Sequence, residues 1–199
     1  MEIDTAQKEW DVPLTVNPVK MIKKPRSPKA RDRRLTVDEW SKLMEAAQQS
    51  YLTCLADVVE FAAETAMRRS ELVRISPDNI DLERCLLHIP ITKNGHPRSI
   101  PLSSRATVLA RKYNNCDKPT LFPCTYHQLG RWFRAACKDA GITDYHFHDV
   151  RHEAVSRLTE KGLSPIEVSL ISGHRDLRIL MNYSHMRVEE VGRKLKVRQ

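Results

Sequence analysis

Apolar residues recur along this chain at helical intervals more often than at the alternation of a strand. Trp40, Leu43, Met44 and Ala47 form one such stripe behind Thr36-Val37-Asp38-Glu39. There a hydroxyl and a carboxylate stand at the spacing of a reciprocal capping box, which predicts a helix over about Val37 to Gln49. Leu55, Val58, Val59 and Ala62 mark a second helix from about Tyr51 to Thr65, and another begins near Arg69. Arg105 to Asn114 and Tyr126 to Ala140 continue the series. The latter carries Leu129, Trp132, Phe133, Ala136 and Cys137 inward and Arg131, Arg134 and Lys138 outward. Phe147 to Lys161 is ended by Gly162. Ser164-Pro165-Ile166-Glu167 then opens a short helix, with serine at the cap, proline in the first turn and glutamate as the box partner. It gives out at Gly173, and Leu177 to Met186 and Val188 to Val197 read as the last two helices.

One stretch breaks the helical rhythm. Leu86 to Ile91 and Pro97 to Leu102 flank Asn94-Gly95, the pair favoured in a type I′ turn, so a hairpin is predicted with Lys93 at its tip. The fold class is therefore mainly α with a small antiparallel β-sheet, α+β. The run from Lys20 to Arg34 is basic and punctuated by Pro25 and Pro28, which favours an extended solvated segment over a helix. Residues 1–34 are accordingly set apart as a basic linker, and residues 35–199 as the principal domain with a carboxy-terminal tail.

With 199 residues the chain is long enough for one domain with a sizeable core. A formal charge of +8 points to a polyanionic partner, because each cation that neutralises a phosphate also releases a condensed counterion. The five cysteines are odd in number and contain no CxxC pair, so they read as reduced thiols, partly buried, in a cytoplasmic protein. The apolar stretches are too short and interrupted to span a bilayer, and no membrane partner is expected.

Charge and imidazole are concentrated late in the chain. His148 and Arg151 lie three apart, on one face of their helix, and can address a single oxyanion. His174 follows just after Gly173, and Tyr183 stands as a phenol in an apolar helix. Earlier, Arg68 falls at a helix junction from which a guanidinium can offer its planar fork to two phosphate oxygens, and Lys93 is a long donor on a projecting ribbon. A phenol with a pKa of about 10 is a poor nucleophile unless surrounding cations or a base favour loss of its proton. Cations, imidazoles and a phenol together suit attack on a phosphodiester without a metal or other cofactor.

The segments TAMRRSEL, ITKNGHPRSIPL, HDVRHEAVSRL, ISGHRD and NYSH, in that order from about Leu35 to His185, resemble the ordered motifs of the tyrosine recombinase (phage integrase) family. The resemblance implies the catalytic-domain fold of the DNA breaking-rejoining enzymes. It also implies cleavage and rejoining of double-stranded DNA through a 3′-phosphotyrosyl intermediate, without metal or ATP. In this reading Arg68 and Arg151 clamp the scissile phosphate, and Lys93 protonates the departing 5′ oxygen. His148 assists proton transfer from the nucleophile, His174 donates a hydrogen bond to the phosphate, and Tyr183 attacks. Glu71 braces the first arginine. The family further implies that residues 1–34, if not a basic linker, are the remnant of an amino-terminal DNA-binding domain and that residues 35–199 are the catalytic domain. It implies self-association into a tetramer on DNA, with a monomer in free solution, and a bacterial or phage-encoded protein of the cytoplasm. Three positions depart from the family pattern: Ala66 stands where glycine is common, Glu153 where a small hydroxyl residue is usual, and Leu180 where threonine is frequent.

Other readings use the same residues. A noncatalytic DNA-binding remnant would bind a duplex and form no covalent adduct. An enzyme like the type IB topoisomerases would relax supercoils rather than recombine paired sites. His146, His148 and His152 could be taken for a zinc site, but no glutamate follows in the HExxH sense, and Asp149 points elsewhere on the helix.

Overall fold

The computed structural model describes residues 2–10, 13, 16–23, 33–90, 97–115, 117–174 and 176–181. They divide into two compact units, one within Met1–Arg31 and one within Asp32–Gln199. The first contains α1 (Glu2–Glu9) and α2 (Pro18–Met21). Asn17 caps α2 by accepting from the Val19 N–H at 3.0 Å and donates its amide to Asp4 at 3.1 Å. Neither helix was anticipated, and Lys20 and Met21, predicted to be extended, close a helical turn.

In the second unit the order is α3 (Val37–Gln48), α4 (Leu55–Thr65), α5 (Arg69–Leu72), β1 (Ile80–Asp81), β2 (Leu86–Ile89), β3 (Arg98–Pro101), α6 (Ser104–Tyr113), α7 (Tyr126–Asp139), α8 (Phe147–Glu160), α9 (Pro165–Ser172) and α10 (Leu177–Met181). α4 is the hub: α3, α6, α7 and α8 pack around it. Its Leu55, Ala56, Val58, Val59, Phe61, Ala62 and Ala63 are all buried, while Asp57, Glu60 and Glu64 form a polar strip that bonds to Lys112, Arg105 and Ser103. Phe61 meets Phe122 edge to face at 5.3 Å, and Phe133 meets Phe147 at 5.1 Å, tying α7 to α8. Cys54, Cys124 and Cys137 are buried free thiols in this core.

Reciprocal capping boxes open α3 and α9 where the sequence placed them, at Thr36/Glu39 and Ser164/Glu167. α4 starts four residues later than expected, because Tyr51 to Cys54 form a turn and Cys54 makes no side-chain cap bond. The sheet is antiparallel in the order β1-β2-β3, with Leu87 opposite Ile100 and Ile89 opposite Arg98. The hairpin was expected, but the two-residue β1 was not. The Asn94-Gly95 turn and Lys93 lie outside the described residues, as do Tyr183 and the predicted helix from Val188.

β3 rests on α9, and α9 packs on α8 and α10. The end of α9 is thereby brought to the same corner as the α4–α5 junction. A second, smaller apolar cluster fills that corner: Ala66, Ala154, Val155, Val168 and Leu180.

Candidate active site

At the end of α4 the chain reverses through Ala66, which adopts the left-handed conformation at φ 53° and ψ 24°. Arg68 follows in extended conformation and opens α5. Three residues on, Glu71 reaches back. Its carboxylate accepts the Arg68 N–H at 2.9 Å and the Arg68 Nη1 at 3.1 Å. The same carboxylate takes both Nη1 and Nη2 of Arg98 from β3, at 3.0 and 2.8 Å. Burial alone would raise the Glu71 pKa, but the bonds from Arg98 and the Arg68 backbone outweigh it and hold the group at about 2. Arg98 also donates Nε to the Ile171 carbonyl at 3.3 Å. Gly173 leaves room for it: a Cβ there would stand 3.0 Å from the Arg98 Nε, and φ is +72°. One guanidinium thus ties β3, α5 and the end of α9 together.

Arg151 comes from the other side. It is buried on α8, donating Nη1 to the Ala66 carbonyl at 2.5 Å and Nη2 to His174 Nε2 at 3.2 Å. His174 also touches the buried Ser172 hydroxyl through Nδ1, at 2.8 Å. Burial, then Arg151 and Arg68, lower the His174 pKa to about 4, so the ring is neutral at physiological pH. One turn before Arg151, the His148 ring reaches solvent and meets His152 edge to face at 5.0 Å. The protein packed around it, then His152 and Arg151, lower its pKa as well.

The structure therefore gathers Arg68, Arg151, His148 and His174 into one electrostatic neighbourhood. Lys93 and Tyr183 lie outside the described residues. Glu71 does what was expected of it. Arg98 was missed, although the alternation held a signal: with Ile100 inward, the residue two before it on the strand must also face inward, and a charge there needs a partner. Among the described residues no cluster of three or more His, Cys, Asp or Glu side chains is arranged for a metal ion, and His146 instead lies 3.5 Å from Asp149 at the start of α8.

The three departures each have a physical account. Ala66 occupies a left-handed position that glycine fills without strain. Leu180 completes the small apolar cluster beneath the site. Glu153, buried on α8, is met by Arg34 at 3.0 Å and Arg157 at 2.8 Å. Arg34 and Arg33, the latter paired with Glu39, end the basic run and are thus held by ion pairs in the second unit while their side chains stay partly exposed. On α7, Arg131, Arg134 and Lys138 are exposed as expected.

The profile of the phage integrase family matches residues 33–190. A shufflon-specific DNA recombinase of Escherichia coli is 38% identical over 195 residues, covering 98% of this chain and 50% of the relative. The integrase of Salmonella phage P22 is 28% identical, covering 91% of this chain and 50% of its own. The chain thus spans about half the length of these curated relatives. Among solved structures, a lambda integrase dimer bound to a COC′ core site superposes with a TM-score of 0.70 at 24% identity, covering 92% of this chain and 55% of that one. The catalytic domain of bacteriophage HP1 integrase does so with 0.66 at 20% identity, covering 82% of this chain and 94% of that one. At this level of identity the superpositions establish the fold.

Proposed function

The chain belongs to the phage integrase family, and from that premise we propose that its second unit cleaves and rejoins double-stranded DNA as a tyrosine-type site-specific recombinase. The observation that carries the reading is the convergence of Arg68, braced by Glu71, and Arg151, held between the Ala66 carbonyl and His174, at one corner of the fold. Two guanidinium groups set by buried partners are preorganised donors for a phosphoryl group whose oxygens gain charge in the transition state. Such donors do not need to reorganise as the reaction proceeds.

In this mechanism the Tyr183 oxygen attacks the scissile phosphorus, a 3′-phosphotyrosyl ester forms, and the bond to the 5′ oxygen breaks. The departing oxygen takes its proton from Lys93, while the phenol proton passes to His148, which is neutral near pH 7 and able to accept it. One phosphoester replaces another, so a second 5′ hydroxyl reverses the step without ATP. His174 attends the phosphate. The basic stretch of residues 1–34 connects this unit to further DNA contacts, and protomers free in solution assemble as a tetramer on DNA in the cytoplasm of a bacterium or phage host. No described helix is long and apolar enough to cross a membrane.

Covalent trapping on a nicked suicide duplex tests the reading. The wild-type protein is expected to form an adduct that maps to Tyr183, and Tyr183→Phe to bind the duplex without forming one. An adduct that persists in Tyr183→Phe overturns the assignment, and duplex binding with no wild-type adduct makes the protein a noncatalytic binder.

A further inference from the structure

His174 is held at both ring nitrogens, and the two bonds fix its chemistry. A guanidinium has donors only, so the 3.2 Å bond between Arg151 Nη2 and His174 Nε2 requires an unprotonated Nε2. A neutral ring must then carry its proton on Nδ1. That proton meets the Ser172 hydroxyl at 2.8 Å, and the hydroxyl spends its own on the Val168 carbonyl at 2.6 Å, leaving its oxygen to accept. Every donor in the chain finds an acceptor in one direction only. Ser172 is fully buried, so no solvent competes for it.

We infer that Ser172 is a positioning residue that locks His174 in the Nδ1–H tautomer and so presents Nε2 to Arg151 as an acceptor. The inference deepens the recombinase reading and rests on it for its catalytic meaning. In the free protein His174 Nε2 receives a hydrogen bond rather than giving one. It donates to a phosphate only after a phosphodiester oxygen draws the Arg151 guanidinium away and Nε2 takes a proton from solvent, forming the imidazolium. Among the described residues the charged and titratable groups around the ring are Arg151, His148 and His152 from α8 and Arg68 from the α4–α5 junction. Glu71 and Arg98 stand behind Arg68. Burial first, and then Arg151 and Arg68, keep the resting ring neutral, in agreement with the tautomer that the bonds require.

Nitrogen-15 NMR of the full chain at pH 7, with His174 signals assigned by their loss in His174→Gln, reads the tautomer directly. The wild type is expected to show a protonated Nδ1 and an unprotonated Nε2. Ser172→Ala, a smaller residue in a buried place, is expected to shift the ring towards the Nε2–H form. It should also slow adduct formation on the suicide duplex by about tenfold while duplex affinity stays within about twofold. Ser172→Thr, which keeps the hydroxyl, should restore the spectrum. A wild-type ring protonated on Nε2, or a Ser172→Ala protein with unchanged spectrum and rate, overturns the inference. A wild type that forms no adduct defeats the recombinase reading instead, and the spectrum still decides the tautomer.

Discussion

Two buried glutamates, Glu71 and Glu153, each sit between two arginines, and they do different work. Their side chains are 4% and 5% exposed, so neither carboxylate has solvent to rely on. Glu71 is shared by Arg68 and Arg98, two cations for one anion, which leaves a net positive cluster at the corner where Arg151 also arrives. Around Glu153 the charges balance, because Arg34 pairs with Glu160 as well as with Glu153, and Arg157 completes the set. The surplus at Glu71 is what an incoming phosphate would neutralise. A buried carboxylate in this molecule can therefore organise a site or close a seam, and the count of cations around it tells which.

The sharpest way to break that comparison is to remove the charge from each glutamate in turn. Glu71→Gln strands Arg98, whose side chain is only 11% exposed, and should cost about 3 kcal/mol of stability, with adduct formation by the folded protein falling about 100-fold. Glu153→Gln releases Arg34 and Arg157, which are 39% and 33% exposed and can turn to water, so a loss of about 1–2 kcal/mol is expected with adduct formation within about threefold. Denaturant unfolding and suicide-duplex kinetics on both variants check this. If Glu153→Gln slows cleavage as much as Glu71→Gln, the division of labour is wrong.

Acid sharpens the same contrast. His174 has its folded pKa lowered to about 4, against about 6.5 for a free imidazole, so between these pH values the unfolded chain binds the proton more readily. The stability this contributes is present above about pH 6.5 and lost as pH falls towards 4. Glu71, at about 2, stays ionised through that window. Acid therefore adds positive charge to the site corner without discharging its carboxylate. His174→Asn is expected to reduce the dependence of unfolding free energy on pH between about 6.5 and about 5.5, where His148 supplies the rest, whereas Arg34→Ala, which acts on Glu153 in the carboxylate range below, should leave that slope in place. An unchanged slope in His174→Asn would remove this histidine from the account.

Much of this arrangement was legible in the chain, and the illegible part has a common cause. α3 and α9 begin where Thr36/Glu39 and Ser164/Glu167 cap them, because those signals are local. Arg68, His148, Arg151 and His174 stood out by residue type and order. Arg34 read as part of a solvated basic run because its partner Glu153 lies 119 residues away, and Arg98 passed unnoticed because Glu71 lies 27 residues away. Ser172 escaped for a subtler reason: a serine at a helix end satisfies its hydroxyl on the preceding turn so often that a second bond, to His174, leaves no trace in the pattern. Tertiary partners of charged residues are the part that periodicity does not encode.

Arg34→Ala by itself tests how firmly the seam is closed. With its partners at the surface on one side and buried on the other, its removal should cost about 1 kcal/mol, seen as a small fall in the denaturant midpoint with no change in adduct formation. A loss of adduct formation at unchanged stability would mean that the Glu153 cluster communicates with the site.

The smallest effect is expected at Ala66, where two terms oppose. Its left-handed backbone strains an alanine by about 1 kcal/mol relative to glycine. Its methyl is fully buried against the Val155 and Leu180 cluster, and deleting it forfeits about 0.8 kcal/mol of burial. Ala66→Gly should therefore change stability by less than about 0.5 kcal/mol, since the strain relieved nearly equals the packing lost. The Ala66 carbonyl accepts from Arg151, however, and a glycine frees the backbone that aims it. Adduct formation should then fall by a few fold at unchanged stability, a separation that places Ala66 with Glu71 on the side of the molecule that organises the site. A large stabilisation with undiminished cleavage would show instead that the strain at Ala66 does nothing for Arg151.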